Sequence, residues 1–211
     1  LQIEIEIMKK NTTAVPVLLT DLENMGFDRK LILIEKCNIA IIGQNWEFLC
    51  TLLDTISLEA PDNLLGLKCS LVYCLVVSGD SAKTNDVLLH ALHVIEKLYY
   101  NDPLPYIIDI IELVHCIGAE NASVLKNSIK TLENLWPANK ESYDLAIQLG
   151  YAYLLLQQPK KAIDFYKQAS KLQQAKQEPI VKLVMCSLML DELDEAESSL
   201  DFVKEVFSSL Q

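Results

Sequence analysis

Residues Leu149–Ala169, LGYAYLLLQQPKKAIDFYKQA, combine small and large side chains at helical spacing on both sides of a proline. Apolar residues recur at intervals of three and four, and the QQPK between them breaks the pattern, so the stretch predicts two short antiparallel helices. Small residues should lie where the helices approach closely, with large residues filling the space beside them. The residues that we predict to pack this pair are Leu149, Gly150, Tyr153, Ala162, Tyr166 and Ala169.

The same arrangement recurs along the chain at a fixed interval. Pro103 and Pro137 each follow a helical segment and lie 34 residues apart, as do Ala162 and Ala196. Pro61 precedes Pro103 by 42 residues, and we place the extra eight in a polar loop, SGDSAKTND, at residues 78–86. A 34-residue period of paired helices, with L-G-x2-Y followed by A-x3-F, is typical of tetratricopeptide repeats. Ala146 and Gln174 replace the usual Trp and Pro of that pattern.

The predicted fold is therefore all-α, a tetratricopeptide-repeat (TPR) α-solenoid in which antiparallel helix pairs form a right-handed superhelix. Leu183 and Ala196 are the packing residues that the last, more degenerate repeat retains. The alternating QIEIEIM near the start is strand-like, but a lone strand has no partner, so we expect a frayed helix or an irregular end there. The predicted units are 1–29 (a partial repeat), 30–63, 64–105 with the loop insertion, 106–142, 143–176 and 177–211.

Composition limits the function. The formal charge of −11 disfavours nucleic acid and anionic membrane surfaces, and no apolar run is long enough to span a bilayer. The start, LQIEIEIMKKN, lacks an initiator Met, so we expect a piece from the interior of a longer array with flanking repeats as neighbours. None of the six cysteines forms a C-x-x-C pair, and most lie in apolar helical segments. We expect buried free thiols in a reducing, intracellular compartment.

The sequence contains no recognisable catalytic or cofactor-binding motif. His90 and His93 lie three residues apart but lack a third ligand nearby, so we expect partly buried structural histidines and no metal. His115 and Cys116 are adjacent on a predicted helix and diverge by about 100°, so they cannot form a nucleophile–base pair. We therefore predict no enzyme activity, no cofactor and no metal site.

The first helix of each pair should line the concave face of a solenoid, where partners bind. Chaperone-tail clamps place Lys and Asn at such positions, and none occur here, so an apolar groove that binds another protein or another part of the same chain is favoured. The candidate concave-face residues are Ile147, Tyr151, Leu154 and Leu155 in one repeat and Val181, Met185, Leu188 and Met189 in the next.

Charge is unevenly divided between the last two repeats. Lysines dominate residues 160–176, and acidic residues dominate 191–197. Solvated outer faces explain this pattern most simply. Attraction between neighbouring repeats, or docking of a basic partner on the acidic edge, is the alternative.

The last third also resembles one particular family. The segments YDLAIQLGYAYLLLQQPKKAIDFYKQASKL and CSLMLDELDEAESSLDFVKEVFSSLQ, with NIAIIGQNWEFLCTLLDTIS upstream, are similar to the tetratricopeptide repeat protein 21 family, the large solenoid subunit of intraflagellar transport complex A. The resemblance implies a non-catalytic scaffold that binds other complex A subunits and acts in retrograde ciliary transport and ciliary protein trafficking, in the cilium and cytoplasm. The alternatives are a TPR adaptor of another assembly, such as a cell-cycle or chaperone-associated complex, and a helical regulatory region of a larger enzyme.

Overall fold

A computed structural model describes residues 14–117, 121–173, 176–194, 196–198, 200 and 201 of the 211-residue chain. The predicted irregular start at residues 1–10, the position of Gln174 and the final VFSSLQ lie outside the described residues. All regular secondary structure within the described part is helical.

Ten α-helices carry the described fold. In chain order they are α1 (Ala14–Asn24), α2 (Arg29–Ile42), α3 (Trp46–Glu59), α4 (Leu64–Tyr73), α5 (Ser81–Leu98), α6 (Leu104–Ile117), α7 (Ala122–Leu135), α8 (Tyr143–Leu155), α9 (Pro159–Leu172) and α10 (Glu178–Met189). A π-helical turn, Cys74–Ser78, extends α4, and a 3-10 turn, Trp136–Ala138, follows α7. Helical residues occur again between 193 and 201.

Polar residues in the connections between helices cap the first turns of several of them. A side-chain oxygen accepts a hydrogen bond from a backbone N–H of the first turn, which satisfies a group that the helix itself leaves unpaired. This arrangement precedes six helices and explains why the breaks end in Asn, Asp or Ser. The capping residues are Asp28, Asn45, Asn63, Asp80, Asn121 and Ser142.

A common three-residue turn follows α2, α8 and α10. The middle residue of each turn has a left-handed backbone conformation: Gln44 (φ 53°), Gln157 (φ 55°) and Asp191 (φ 57°). Gln157 and Asp191 lie 34 residues apart. The next residue donates its N–H to the carbonyl five positions earlier, for example Gln158 to Tyr153 at 2.9 Å. This bond satisfies a carbonyl at the helix end, as in a Schellman turn, although the left-handed position is not a glycine in any of the three turns.

The prediction of a polar loop at residues 78–86 was wrong. Most of that segment is the first turn and a half of α5, which runs for 18 residues from Ser81. Gly79 adopts φ 63° and ends the π-helical turn, and the Asp80 carboxylate accepts from the N–H groups of Ala82 and Lys83. Since Asp80 caps a helix here, the extra residues lengthen the second helix of the pair.

Two compact units make up the chain, residues 1–110 and 111–211. In the first, α2, α3 and α4 form an apolar core that contains Leu33, Cys37, Leu49, Ile56 and Cys69. In the second, the largest fully buried side chains include Leu132, Leu145, Leu149 and Tyr166. No described helix is both long enough and apolar enough to cross a bilayer.

Candidate protein-interaction surface

Helices α8 and α9 approach each other closely at Gly150. A Cβ built on Gly150 would lie 2.7 Å from Cε1 of Tyr166, which is closer than such atoms pack in proteins. The Tyr166 ring is fully buried against this glycine, and burial raises its pKa. Gly150 is therefore required because a large ring fills the space that a side chain at position 150 would occupy.

The other predicted packing residues are placed as follows. Leu149, Ala162 and Ala169 have no exposed surface, and Tyr153 is 5% exposed. Ala196 is buried and Leu183 is partly exposed. These burials follow from α8 packing against both α7 and α9, and from α9 packing against α10.

The candidate concave-face residues of α10 form an exposed apolar surface. Val181, Met185, Leu188 and Met189 are each about half exposed, at 50, 46, 51 and 53%. They lie at i, i+4, i+7 and i+8, so they occupy one side of the helix. We call these four residues the α10 apolar face.

The corresponding residues of α8 are less accessible. Tyr151, Leu154 and Leu155 are partly exposed, but Ile147 is only 8% exposed. The prediction that Ile147 is available to a partner is therefore not supported, because neighbouring helices enclose α8 on more than one side. The accessible part of this face lies toward the carboxyl end of α8.

A buried polar cluster that sequence analysis did not predict joins α6, α7 and α8. The His115 side chain has no exposed surface, and its Nε2 lies 3.0 Å from Ser128 Oγ while its Nδ1 lies 3.3 Å from Gln148 Oε1. Because the Ser128 hydroxyl donates to the Leu125 carbonyl, its oxygen can accept from Nε2–H. Desolvation lowers the pKa of His115 to about 4, against a smaller opposing effect of Gln148, so the ring is neutral near pH 7.

Tyr151 connects this cluster to the accessible surface. Its ring meets the His115 ring edge-on at 6.1 Å, and the Lys182 ammonium lies 5.5 Å from its centroid. A signal for the cluster was present in the sequence, since Ser128, His115 and Gln148 each interrupt an apolar helix face. Periodicity alone could not show that the three residues meet.

The lysines of 160–176 and the acidic residues that follow α10 were candidates for attraction between neighbouring repeats. Within the described residues, no ion pair joins these lysines to Asp191, Glu192 or Asp194. Two of them instead lie over aromatic rings, Lys161 at 4.9 Å from the Tyr153 centroid and Lys176 at 4.2 Å from that of Tyr143. Such cation–π contacts hold the lysine side chains against their own repeat.

The burial of the histidine and cysteine side chains differs in part from the prediction. His90 and His93, both on α5, are exposed rather than partly buried. His90 lies near Asp62, which also pairs with Lys97 at 3.3 Å. All six cysteines are free, and Cys37, Cys69, Cys74 and Cys186 are buried, whereas Cys50 is partly exposed and Cys116 exposed.

Solved structures define the class of this fold. The chain is similar to the C-terminal part of a TPR repeat-containing protein from Cytophaga hutchinsonii, with a TM-score of 0.60 at 11% identity, over 99% of this chain and 79% of that one. It is also similar to a MamA RS-1 double mutant, with a TM-score of 0.51 at 16% identity, over 87% and 97% of the two chains. The predicted all-α TPR solenoid is confirmed.

Sequence comparison gives the family. A family model described as "Tetratricopeptide repeat protein 21 second ARM domain" matches residues 86–211. Human tetratricopeptide repeat protein 21B is 22% identical over 84% of the chain, and mouse tetratricopeptide repeat protein 21A is 25% identical over 84%. The chain belongs to the tetratricopeptide repeat protein 21 family, and it spans 13% and 14% of the length of these two relatives.

Proposed function

We propose that this chain is part of a non-catalytic scaffold subunit of intraflagellar transport complex A, which acts in retrograde ciliary transport and ciliary protein trafficking. The observation that carries the proposal is the family match over residues 86–211. Residues 143–211 contain the motifs that most resemble the complex A subunit, and the family match begins well upstream of them, at residue 86. Cilium and cytoplasm are the corresponding locations, and the free cysteines support a reducing environment.

The α10 apolar face is the surface that we propose for contact with other subunits or with flanking repeats of the same chain. Four large apolar side chains, each about half exposed, lie on one side of a single helix. A contiguous apolar patch of this kind is favourable to bury against protein. Tyr151, Leu154 and Leu155 of α8 are the further candidates for this surface.

The buried cluster supports a structural rather than a catalytic role for its polar groups. The His115 ring is enclosed, and both of its nitrogens already face polar partners. A general base must reach the proton that it removes from a substrate, and this ring reaches only its own helices. The proposed function therefore depends on surfaces and not on a reactive centre.

The test is affinity capture of the tagged full-length parent protein from ciliated cells, with its partners quantified by mass spectrometry. We expect the other complex A subunits in near-stoichiometric amounts. Recovery of a different stable assembly would leave the scaffold and remove the ciliary assignment. Co-purification with catalytic activity carried by the parent chain itself would favour a regulatory region of an enzyme.

A pair of variants tests the proposed surface in the same experiment. Met185→Glu with Leu188→Glu places two charges on the α10 apolar face, and we expect the recovery of at least one subunit to fall several-fold. The matched control is Leu58→Glu with Leu89→Glu, since both leucines are exposed, at 85 and 57%, and lie on other helices. Equal recovery from both variants would exclude the α10 apolar face as a contact surface.

A further inference from the structure

A second surface in the same unit has the composition of a binding site. A groove with a volume of about 500 Å³ is lined by residues of the turn after α7, of α8 and of α9. Trp136, Tyr153 and Phe165 form its aromatic wall, and Lys140 and Lys161 lie at its edge. We call these five residues the aromatic groove. It is separate from the α10 apolar face and does not depend on the proposed function.

The three rings are held in a fixed arrangement. Phe165 lies between the other two, edge-on to Trp136 at 5.4 Å and nearly parallel to Tyr153 at 5.6 Å. The Tyr153 hydroxyl donates to the Glu133 carboxylate, which fixes the ring, and burial together with Glu133 raises the pKa of Tyr153 to about 12. A rigid aromatic wall binds an apolar side chain at little cost in conformational entropy.

The edge of the groove is positively charged although the chain as a whole is acidic, with a net charge of −11. Lys140 and Lys161 are exposed, and neither has a carboxylate within ion-pairing distance among the described residues. Lys161 lies over the Tyr153 ring, which places its ammonium group beside the aromatic wall. The indole N–H of Trp136 also lacks a hydrogen-bond acceptor within the described part of the chain, so it remains available as a donor.

Asp164 lines the groove as well and opposes an anion there. Among the lining residues its carboxylate is outnumbered by the two ammonium groups, and the nearby Glu133 carboxylate is engaged by the Tyr153 hydroxyl. The chemistry that fits is one carboxylate between the lysines and one ring or large aliphatic group against the aromatic wall. A polyanion such as nucleic acid is disfavoured, because the surrounding net charge is negative.

We propose that the aromatic groove binds a short linear segment of another protein in which an Asp or Glu stands next to an aromatic or large aliphatic residue. The carboxylate pairs with Lys140 and Lys161, and the neighbouring side chain packs on Phe165 and Trp136. Tryptophan and tyrosine are among the residues that contribute most at protein interfaces. The size of the groove suits one or two side chains rather than a folded domain.

The test is selection of peptides from a random phage-displayed library on the 211-residue chain, followed by titration of the synthetic peptides. Trp46→Phe leaves Trp136 as the remaining tryptophan, so its fluorescence reports on the groove. We expect the selected peptides to pair an acid with an aromatic or large aliphatic residue and to change the Trp136 emission. Selection of peptides without a carboxylate, or of none, would overturn the proposal.

Two charge-reversal variants separate the groove from general electrostatics. Lys140→Glu with Lys161→Glu should weaken the selected peptides about tenfold or more, because both attractive charges become repulsive. Lys167→Glu with Lys171→Glu makes the same change in net charge at exposed positions of α9 outside the groove, and it should leave the affinity within about twofold. Equal losses in the two variants would show non-specific attraction and would contradict the proposed site. Circular dichroism should show the same helix content in both.

Discussion

Gly150 and Tyr166 occupy one shared space between α8 and α9, since a Cβ at position 150 would lie 2.7 Å from Cε1 of the tyrosine ring. The ring cannot retreat easily, because it has no exposed surface. The pairing of a small and a large residue in the repeat motif therefore has a direct steric meaning at this position.

Gly150→Ala should destabilise the chain by about 1–3 kcal/mol, the usual cost of overpacking a core. The sign is informative, because the same change in an unobstructed helix interior stabilises by about 1 kcal/mol. Denaturant unfolding of the wild type and the variant would measure it. Combining Gly150→Ala with Tyr166→Leu should cost less than the sum of the single changes, and strict additivity would contradict the proposed clash.

The buried hydroxyls of Tyr166 and Tyr153 should respond in opposite ways to removal. The Tyr166 hydroxyl has no hydrogen-bond partner within the described residues, so Tyr166→Phe should be neutral or stabilise by up to about 1 kcal/mol. The Tyr153 hydroxyl donates to Glu133, so Tyr153→Phe should destabilise by about 1 kcal/mol. Thermal unfolding of the matched pair would reveal the difference, and a larger loss for Tyr166→Phe would contradict it.

Stability should depend on pH through His115. An unfolded histidine titrates near pH 6.5, whereas the pKa of His115 in the fold is about 4. As the pH falls, the unfolded chain therefore binds a proton at a higher pH than the folded chain does. The contribution of His115 to the free energy of unfolding is complete above pH 6.5 and decreases by about 3 kcal/mol in total as the pH falls toward 4. The measurement is the free energy of unfolding between pH 7.5 and 4.

The His115→Gln variant should be less stable than the wild type at neutral pH. Its free energy of unfolding should change less with pH between pH 7.5 and 4. Carboxylates titrate in both proteins, so the informative quantity is the difference between their profiles. His93→Gln is the control, because His93 is exposed on α5 and its replacement should leave the profile of the wild type. A difference profile without a slope between pH 6.5 and 4 would show that His115 does not change protonation on unfolding.

The left-handed turn residues offer a stabilising change. Gln157 has φ 55° without being glycine, and this conformation costs a side chain about 1 kcal/mol. Gln157→Gly should therefore stabilise the chain or leave it unchanged, despite the added freedom of the unfolded state. Gln168→Gly, inside α9, should instead destabilise by about 1 kcal/mol, and chemical denaturation would compare the two.

Local sequence features predicted the helical repeat fold correctly. Gly150 and Tyr166 stand at the spacing of the repeat motif, and an Asn, Asp or Ser directly precedes six of the helices. The α5 segment was misjudged because Ser, Lys, Thr and Asn look like loop residues, whereas the Asp80 cap and the apolar face that begins at Leu88 favour helix. The structure shows that a cap followed by delayed apolar periodicity is a helix start.

Features that depend on residues far apart in the chain were not predictable. His115 meets Gln148, 33 positions away, and the aromatic groove joins Trp136 to Phe165. Ile147 lies on α8 at the spacing of an accessible face, yet adjoining helices cover it. Periodicity identifies one side of a helix, but which neighbour covers that side is decided by tertiary packing.

The unequal exposure of the cysteines gives the folded chain a position for attaching a reporter group. Four thiols are buried and a fifth is partly covered, so a maleimide dye or nitroxide label should react first at Cys116, near the carboxyl end of α6. A single replacement, Cys50→Ser, would make that attachment more selective. Distances measured from a label at this position would follow the molecule as it enters an assembly, without alteration of the aromatic groove or of the α10 apolar face.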